Sequence, residues 1–428
     1  MTIYLQALDR HAFGNYRNLL QEVTLTPAMG SNTSTCSLST RTNPNGNLAR
    51  ESSAAFLNRH GCPESGWHGA GGCAGDAAGL VWANAGQRVY ACVHRLEFRA
   101  RRYRARHGKL ARPNGSARRH QPRFQLENPV EWSSDSGVRQ RQRAVNVACA
   151  QADLTLALDN IFNHSNVGPF ISKQLIQHLV TSNPSPPYVG RVAAVFNNDC
   201  AGLYPISPCS SARGNLKAVV QAILLDPEAR GDVKTDPNYG KLREPAQYIT
   251  GFLRAFSVKS FDKLSTSDGV LGNRSSTDFT GTLDQPIFLP NTVFSYYQPG
   301  YEVPGTKILG PAFGILSTST TLRRANDINT LAYSGVSANT TPTALSPDRP
   351  RGTSIDIANL EAIAANPADI ADALNPLLFH GTMSTQMRTS IITAMNAIND
   401  ATVTTRNQNA RGQLVYLAAT SSQYDIQR

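Results

Sequence analysis

Leu154-Thr-Leu-Ala-Leu-Asp-Asn-Ile-Phe-Asn-His-Ser-Asn-Val-Gly-Pro-Phe-Ile171 is the stretch that decides the fold. Leu154, Leu158, Ile161 and Phe162 recur at helical spacing, and the turn Asn163-His164-Ser165-Asn166 ends that helix. Pro169 opens a second helix, because the N–H that proline lacks would be unpaired in a first turn anyway. Ile171, Leu175, Ile176, Leu179 and Val180 form its apolar face, and Asn183-Pro184 stops it. A third helix follows Pro186-Pro187 and carries Val189, Val192, Val195 and Phe196. The fourth follows Gly214, with Leu216, Val219, Val220, Ile223 and Leu224, before Asp226-Pro227 closes the set. The pattern predicts a mainly α protein, a multi-helix bundle with long loops and few or no strands.

Toward the C-terminus, residues 259–285 are rich in Ser, Thr, Gly and Asp and read as a long surface loop. Residues 334–352, with Pro342, Pro347 and Pro350, read the same way. Helices are predicted again over 357–365, 367–378, 382–399 and 406–420, the third presenting Ile391, Ile392, Met395 and Ile398. No strand alternation and no internal repeat is visible.

A chain of 428 residues with 40% hydrophobic and 17% charged residues fits a globular protein. It contains no apolar run of about 18 residues, so no membrane-spanning helix is expected. Met1 to Arg10 lacks a basic stretch followed by an apolar core and does not read as a signal peptide. The formal net charge of +11 would suggest a polyanionic partner, but its location argues otherwise. Ser52 to Ala148 holds 16 Lys plus Arg against 6 Asp plus Glu, a surplus of ten, so the remainder is close to neutral. Lys109 is the single lysine among those bases, and Trp67, Trp82 and Trp132 lie in the same segment.

Several of these phrases carry a family likeness. They are Leu158-Asp-Asn-Ile-Phe-Asn-His-Ser-Asn-Val-Gly-Pro-Phe170, Gln174-Leu-Ile176, Gly214-Asn-Leu-Lys-Ala-Val-Val220 and Lys241-Leu-Arg-Glu-Pro245. Val293-Phe-Ser-Tyr-Tyr-Gln-Pro-Gly-Tyr301 and the closing Tyr416-Leu-Ala-Ala-Thr-Ser-Ser-Gln-Tyr424 extend it. Together they resemble the bacterial family called domain of unknown function 1800 (DUF1800), whose activity is not established. On that resemblance the chain divides into N-terminal family helices over 1–30, an anomalous Arg- and Gly-rich segment over 31–150, and a helical family core over 151–258. A loop-rich family region over 259–352 and a C-terminal helical region over 353–428 follow. The resemblance implies an exported protein, in periplasm or medium, encoded beside a sulfatase- or alkaline-phosphatase-like partner (domain of unknown function 1501, DUF1501). It also implies a further helical portion ahead of Met1. Leu309-Gly-Pro-Ala-Phe313 resembles a phrase in which Glu usually stands where Ala312 does.

Between Ser31 and Cys149 the likeness fades, except for Asn43-Pro-Asn-Gly-Asn-Leu-Ala-Arg-Glu51. Residues 31–40 and 52–148 read as translated out of frame, which accounts for Arg, Trp, Cys and His together. Phe124 to Ser134 can be encoded so that an adjacent frame restores a family-like phrase. The competing reading is a genuine basic insertion: Arg99, Arg101, Arg102, Arg104 and Arg106, interleaved with Phe98 and Tyr103, could track a phosphate backbone.

Chemistry is sparse in the sequence. No His-Glu-x-x-His helix, Gly-x-Ser-x-Gly elbow or phosphate-binding glycine loop occurs, so no cofactor is assigned. Of seven cysteines, Cys200 and Cys209 fall in the family-like region, in one loop. A bridge there would close a loop of about ten residues, contribute roughly 2.5–3 kcal/mol, and imply an oxidising compartment. Two free loop thiols are the plain alternative. Eight intervening residues is not zinc-site spacing, and no metal is expected. His164, near Asp159, is the candidate catalytic histidine of a hydrolase-type enzyme, set against a capping or structural role. Arg50 and Glu51 match a polar pair of the family phrase. Arg191 and Arg213 flank the Pro-rich turn and the loop as anion-binding candidates. Tyr296 and Tyr301 belong to an aromatic loop able to line a groove, or simply to pack over helices.

Overall fold

The computed structural model describes residues 2–26, 151–152, 154–205, 207–231, 236, 238–267, 269, 271–273, 277–292, 295–337, 352–398 and 412–428. The protein is mainly α, as the apolar periodicity predicts. Among the described residues, strands are two or three residues long and form three antiparallel pairs: Lys241–Leu242 with Ile426–Gln427, Ser257–Lys259 with Ser354–Asp356, and Gly272–Asn273 with Thr277–Asp278. Among the described residues no helix is long and apolar enough to cross a membrane. The chain forms two compact units, residues 1–172 with 190–222 and residues 173–189 with 223–428.

In the first unit, helices Thr2–His11 and Tyr16–Thr24 precede the helix over 154–163. Asn15 caps Tyr16–Thr24 by accepting from the Arg17 N–H at 2.9 Å, which satisfies one of the orphan donors of a helix start. The same asparagine donates to the Arg213 carbonyl at 2.8 Å. Tyr16 N–H donates to the Gly214 carbonyl at 2.7 Å, and Leu216 N–H to the Gly14 carbonyl at 2.9 Å, tying the two segments together. Gly214 has φ +79°, and a Cβ there would lie 2.7 Å from the Phe162 ring, so both its conformation and the close approach require glycine. Leu154, Leu158, Ile161, Val192, Phe196 and Val219 are buried, and the Phe196 ring lies 5.8 Å from Tyr16 and 6.3 Å from Phe162. Asp199 organises the following loop by accepting from the Ser210 and Ala212 N–H groups and from Asn215 Nδ2. The Asn215 bond, with those backbone donors, holds its carboxyl below the usual range despite burial. Cys200 and Cys209 are joined as a disulfide in this loop.

The helix expected from Pro169 begins two residues earlier, as Val167–Leu179. Val167 N–H still bonds the His164 carbonyl at 3.2 Å, so the turn feeds directly into the helix, and Pro169 remains within the first turn, where it costs no bond.

The second unit is built around the helix Pro245–Ala255, which buries Tyr248, Ile249, Phe252 and Leu253. Those side chains join one apolar cluster with Ile328, Leu331, Ile370, Leu374, Ile391, Met395, Leu414 and Ala418. The C-terminal turn is fastened to that helix by a ladder of rings and guanidinium groups. Tyr424 Oη donates to the Tyr248 carbonyl at 2.9 Å, Tyr248 Oη donates to the Ala419 carbonyl at 2.7 Å, and the two rings lie 5.2 Å apart. Arg243 sits 4.1 Å over the Tyr424 ring and Arg324 4.9 Å over that of Tyr248.

One helix in this unit lies where only loop-rich sequence was read. Thr318–Asn329 is capped by Ser317, which accepts from Thr320 N–H, while Thr320 Oγ1 accepts from Ser317 N–H at 2.7 Å. A threonine thus replaces the usual Glu or Gln of a capping box. Its buried positions are Thr320, Arg324 and Ile328, so two of the three are polar and the apolar periodicity is lost. Farther on, the helices Ala358–Ala362, Pro367–Phe379 and Thr385–Asn396 fall within or close to their expected ranges. The third starts late because Ser384 caps it, accepting from Met387 N–H at 3.1 Å. A helix over 412–419 stands inside the expected 406–420, whose first residues lie outside the described ones.

Asp327, on the polar helix, has a buried Oδ2 with no partner among the described residues. Burial pushes its carboxyl up to about 7, against the opposing pull of Arg323. The native state therefore holds a proton that the unfolded chain releases near 3.8, so stability falls as pH rises from about 4 to about 7. Asp327→Asn is expected to flatten that slope and to raise the melting temperature at neutral pH. Thermal melts across this range check it; an unchanged slope would mean that Asp327 ionises normally.

Candidate functional site

In the second unit, the C-terminal end of Val167–Leu179, the Lys241–Leu242 strand, the loop at Tyr297–Pro299 and the 3-10 turn Pro311–Ile315 enclose a small open pocket. Its interior offers about 20 Å³ to the centre of a water molecule, enough for one or two water-sized groups. Leu242, Tyr297, Ala312 and Ile315 form a small apolar cluster beneath it.

Glu244 is the pocket's anion. It occupies the N-cap position of Pro245–Ala255 but makes no capping bond with its side chain, so the carboxylate is free to turn toward the pocket. The positive end of that helix favours its charge. Its Oε1 lies 3.4 Å from His178 Nδ1, and its Oε2 accepts from Gln285 Nε2 at 2.6 Å. Tyr297 supplies a further hydrogen bond. Burial alone would raise this carboxyl, yet the bonds from His178, Tyr297 and Gln285 bring it down to about 2. Gln285 is itself fixed, because its Oε1 accepts from Ala246 N–H at 2.9 Å. Burial and the neighbouring Glu244 charge push the Tyr297 phenol well above its ordinary range, keeping it a donor.

His178 stands in the last turn of its helix with its side chain 45% exposed, and its ring is 6.2 Å from that of Tyr297. Lys241 Nζ donates to the His178 carbonyl at 2.5 Å and to Gln247 Oε1 at 3.0 Å, so a buried lysine closes the helix C-terminus. Burial lowers the Lys241 pKa, while Glu244 acts in the opposite direction. Gln177 Nε2 bonds the Ser182 and Pro299 carbonyls at 3.0 and 3.1 Å and fixes the pocket rim. With Nδ1 turned to a carboxylate, His178 presents Nε2 as an acceptor when neutral and a donor when charged, the arrangement of an oriented acid–base group.

A carboxyl with a depressed pKa stabilises the fold above its unfolded value of 4.5, and that contribution disappears as pH falls toward about 2. Its size is on the order of 3 kcal/mol. Glu244→Gln is therefore expected to lower stability at neutral pH and to remove part of the acid-induced loss below pH 4.5. Urea titrations of both proteins at several pH values measure this; parallel curves would contradict it.

Of the aromatic loop read from sequence, Tyr297 and Pro299 line this pocket, and the other described candidate residues do not. His164 Nδ1 accepts from Asn166 N–H at 3.2 Å, within its own turn. Asp159 accepts from Arg17 Nε at 2.6 Å. Arg213 lies over Phe162 and Phe196, donates to the Phe162 and His164 carbonyls at 3.0 Å each, and bonds Asn197. Arg191 is in the same unit. Tyr296 donates its hydroxyl to the Pro286 carbonyl at 2.5 Å. Tyr301 N–H donates to the Gln298 carbonyl at 3.1 Å, and its own carbonyl accepts from Gly310 N–H at 2.8 Å. Arg50 and Glu51 lie outside the described residues, as does all of the anomalous 31–150 segment. Among the described residues no group of three or more His, Cys, Asp or Glu is placed to hold a metal ion.

His178, Lys241 and Glu244 were not singled out by sequence. The signal was present: Lys241 and Glu244 stand in one five-residue phrase, and His178 lies two residues beyond another. Ala312, where the family likeness leads one to expect Glu, lines the pocket wall.

No curated protein and no solved structure matches the chain. A family model described as protein of unknown function (DUF1800) matches residues 1–53 and 118–426. The match takes in both ends of the stretch where the phrases fade and leaves out 54–117. With most of its length so matched, the chain belongs to the DUF1800 family.

Proposed function

We propose that this is an exported helical binding or accessory protein, acting with a partner of the sulfatase or alkaline-phosphatase-like class that the family likeness implies. Its His178–Glu244–Tyr297 pocket receives a small polar group. The observation that carries the reading is a carboxylate held ionised by three side-chain donors, one of them a half-exposed histidine, in a pocket too small for a large ligand. The Cys200–Cys209 disulfide supports export, since such bonds persist in oxidising compartments. The test is co-purification of the tagged chain with the product of the neighbouring gene, for wild type and for His178→Ala. Loss of the partner in the folded variant supports the reading; equal retention overturns the role of the pocket.

An enzymatic reading is favoured by one observation, the 3.4 Å approach of His178 Nδ1 to Glu244. It places a hydrolase-type acid–base pair at His178 instead of His164. Ester or phosphate turnover that disappears in His178→Ala and persists in His164→Ala would establish it. Nucleic-acid binding rests on the Arg-rich segment, outside the described residues.

A further inference from the structure

The polar atoms that the pocket leaves without partners are unusual in kind. Glu244 and Lys241 are both engaged, the first by His178, Tyr297 and Gln285, the second by the His178 carbonyl and Gln247. What remains open, among the described residues, is a neutral mixed set: the Gln174 amide, Gln177 Oε1, Ser182 Oγ and His178 Nε2. Gln174, Gln177 and His178 stand at positions i, i+3 and i+4 of one helix and therefore share a face. Ser182 follows four residues after His178 and is held in place by its N–H bond to the Gly240 carbonyl at 2.9 Å.

We infer that this face binds an uncharged, polyhydroxylated ligand, a sugar unit, with one hydroxyl entering the pocket. The inference rests on the binding reading above and adds the ligand's class. Three features select for it. First, a hydroxyl both donates and accepts, which matches the open set: Gln177 Oε1 and the Nε2 of a neutral His178 only accept, whereas the Gln174 amide and Ser182 Oγ can do either. Second, the embedded charges oppose one another, since Glu244 acts on Lys241 with the sign of a partner. A ligand with a full charge of either sign would meet one like charge and lose its own hydration without a free counter-charge to replace it. Third, the remaining walls are Tyr297, whose hydroxyl is taken up by Glu244, Pro299, whose carbonyl is taken up by Gln177, Pro311 and Ala312, and their ring and methyl surfaces suit the C–H face of a sugar ring. The interior admits only one or two water-sized groups, so the ring itself stays at the mouth.

The full chain would be titrated calorimetrically with methyl glucoside, and in parallel with acetate, methylammonium and acetamide. Saturable binding of the glucoside is expected, weakened tenfold or more in Gln174→Ala and in Ser182→Ala, with melting temperatures unchanged. Both residues lie away from the Glu244–His178 bond, so their variants should leave that pair intact. Tighter binding of acetate, methylammonium or acetamide than of the glucoside would overturn the inference, as would no glucoside binding or affinity unchanged in both variants. Co-purification of the partner without glucoside binding would leave the accessory reading standing and remove this one; glucoside binding without a partner would do the reverse.

Discussion

Phe252→Ala is expected to destabilise the second unit by about 3–5 kcal/mol, a large fraction of the roughly 5–15 kcal/mol that holds an ordinary domain folded. Phe252 is fully buried on the Pro245–Ala255 helix, and its ring meets that of Phe256 at 5.2 Å in an edge-on arrangement. The apolar cluster around it draws on helices from widely separated parts of the chain, including Ile328, Leu374, Ile391 and Leu414. Truncation removes the transfer free energy of a ring and leaves a cavity, since neighbours fixed on five or more elements relax only partly. The same helix begins at Glu244, so the loss should reach the pocket as well. Urea denaturation measures the effect. A change below about 1 kcal/mol would mean that the cluster is loosely packed, as in a core that can collapse around the gap.

Arg324→Met should cost a comparable amount, about 3–5 kcal/mol, for a different reason. Arg324 is 3% exposed, pairs with Asp425 at 3.1 Å and donates to the Arg243 carbonyl at 3.0 Å. Methionine keeps much of the apolar bulk but strands the Asp425 carboxylate, which burial already pushes upward and which Arg324 and Arg243 hold down. It also removes the guanidinium from the face of Tyr248. Asp425→Asn in the same protein should recover part of the loss, because the stranded charge is gone, and the double variant should be less destabilised than the two single changes added together. Additive effects would contradict the pairing. Arg324 Nε has no partner among the described residues, so the network is already incompletely satisfied and the pair does not reach the full value of an ideal one.

The helices that were legible in sequence are those whose buried face is apolar. Leu216, Val219 and Ile223 announce their helix because each buried position is a hydrocarbon. Thr318–Asn329 escaped because the groups it buries include Thr320, bonded to the Ile315 carbonyl, and Arg324, whose partners Asp425 and Arg243 are 101 and 81 residues away. Periodicity cannot register a polar side chain made buriable by a distant one. The short strands were invisible for a related reason: two- and three-residue pairings such as Lys241–Leu242 with Ile426–Gln427 are fixed by tertiary contact and leave no alternation to read.

The candidate site follows the same rule. His164 drew notice because it sits among Asp159, Asn160, Asn163 and Asn166, yet local clustering there serves the turn: Nδ1 is taken up by Asn166 N–H and Asp159 by Arg17. His178 stands on a helix face beside the neutral amides Gln174 and Gln177, with no acidic residue in its immediate sequence, and its carboxylate partner is 66 residues away. Only the fold brings Gln285, from a stretch read as loop, onto the other oxygen of Glu244.

A carbon-detected titration of the Glu244 side-chain carboxyl is the most direct test of that arrangement. The account predicts that Glu244 remains ionised down to about pH 2, held by His178, Tyr297 and Gln285. A midpoint near its ordinary value of 4.5 would show an unengaged, solvated carboxylate, and the pocket would then lose the group around which it is built.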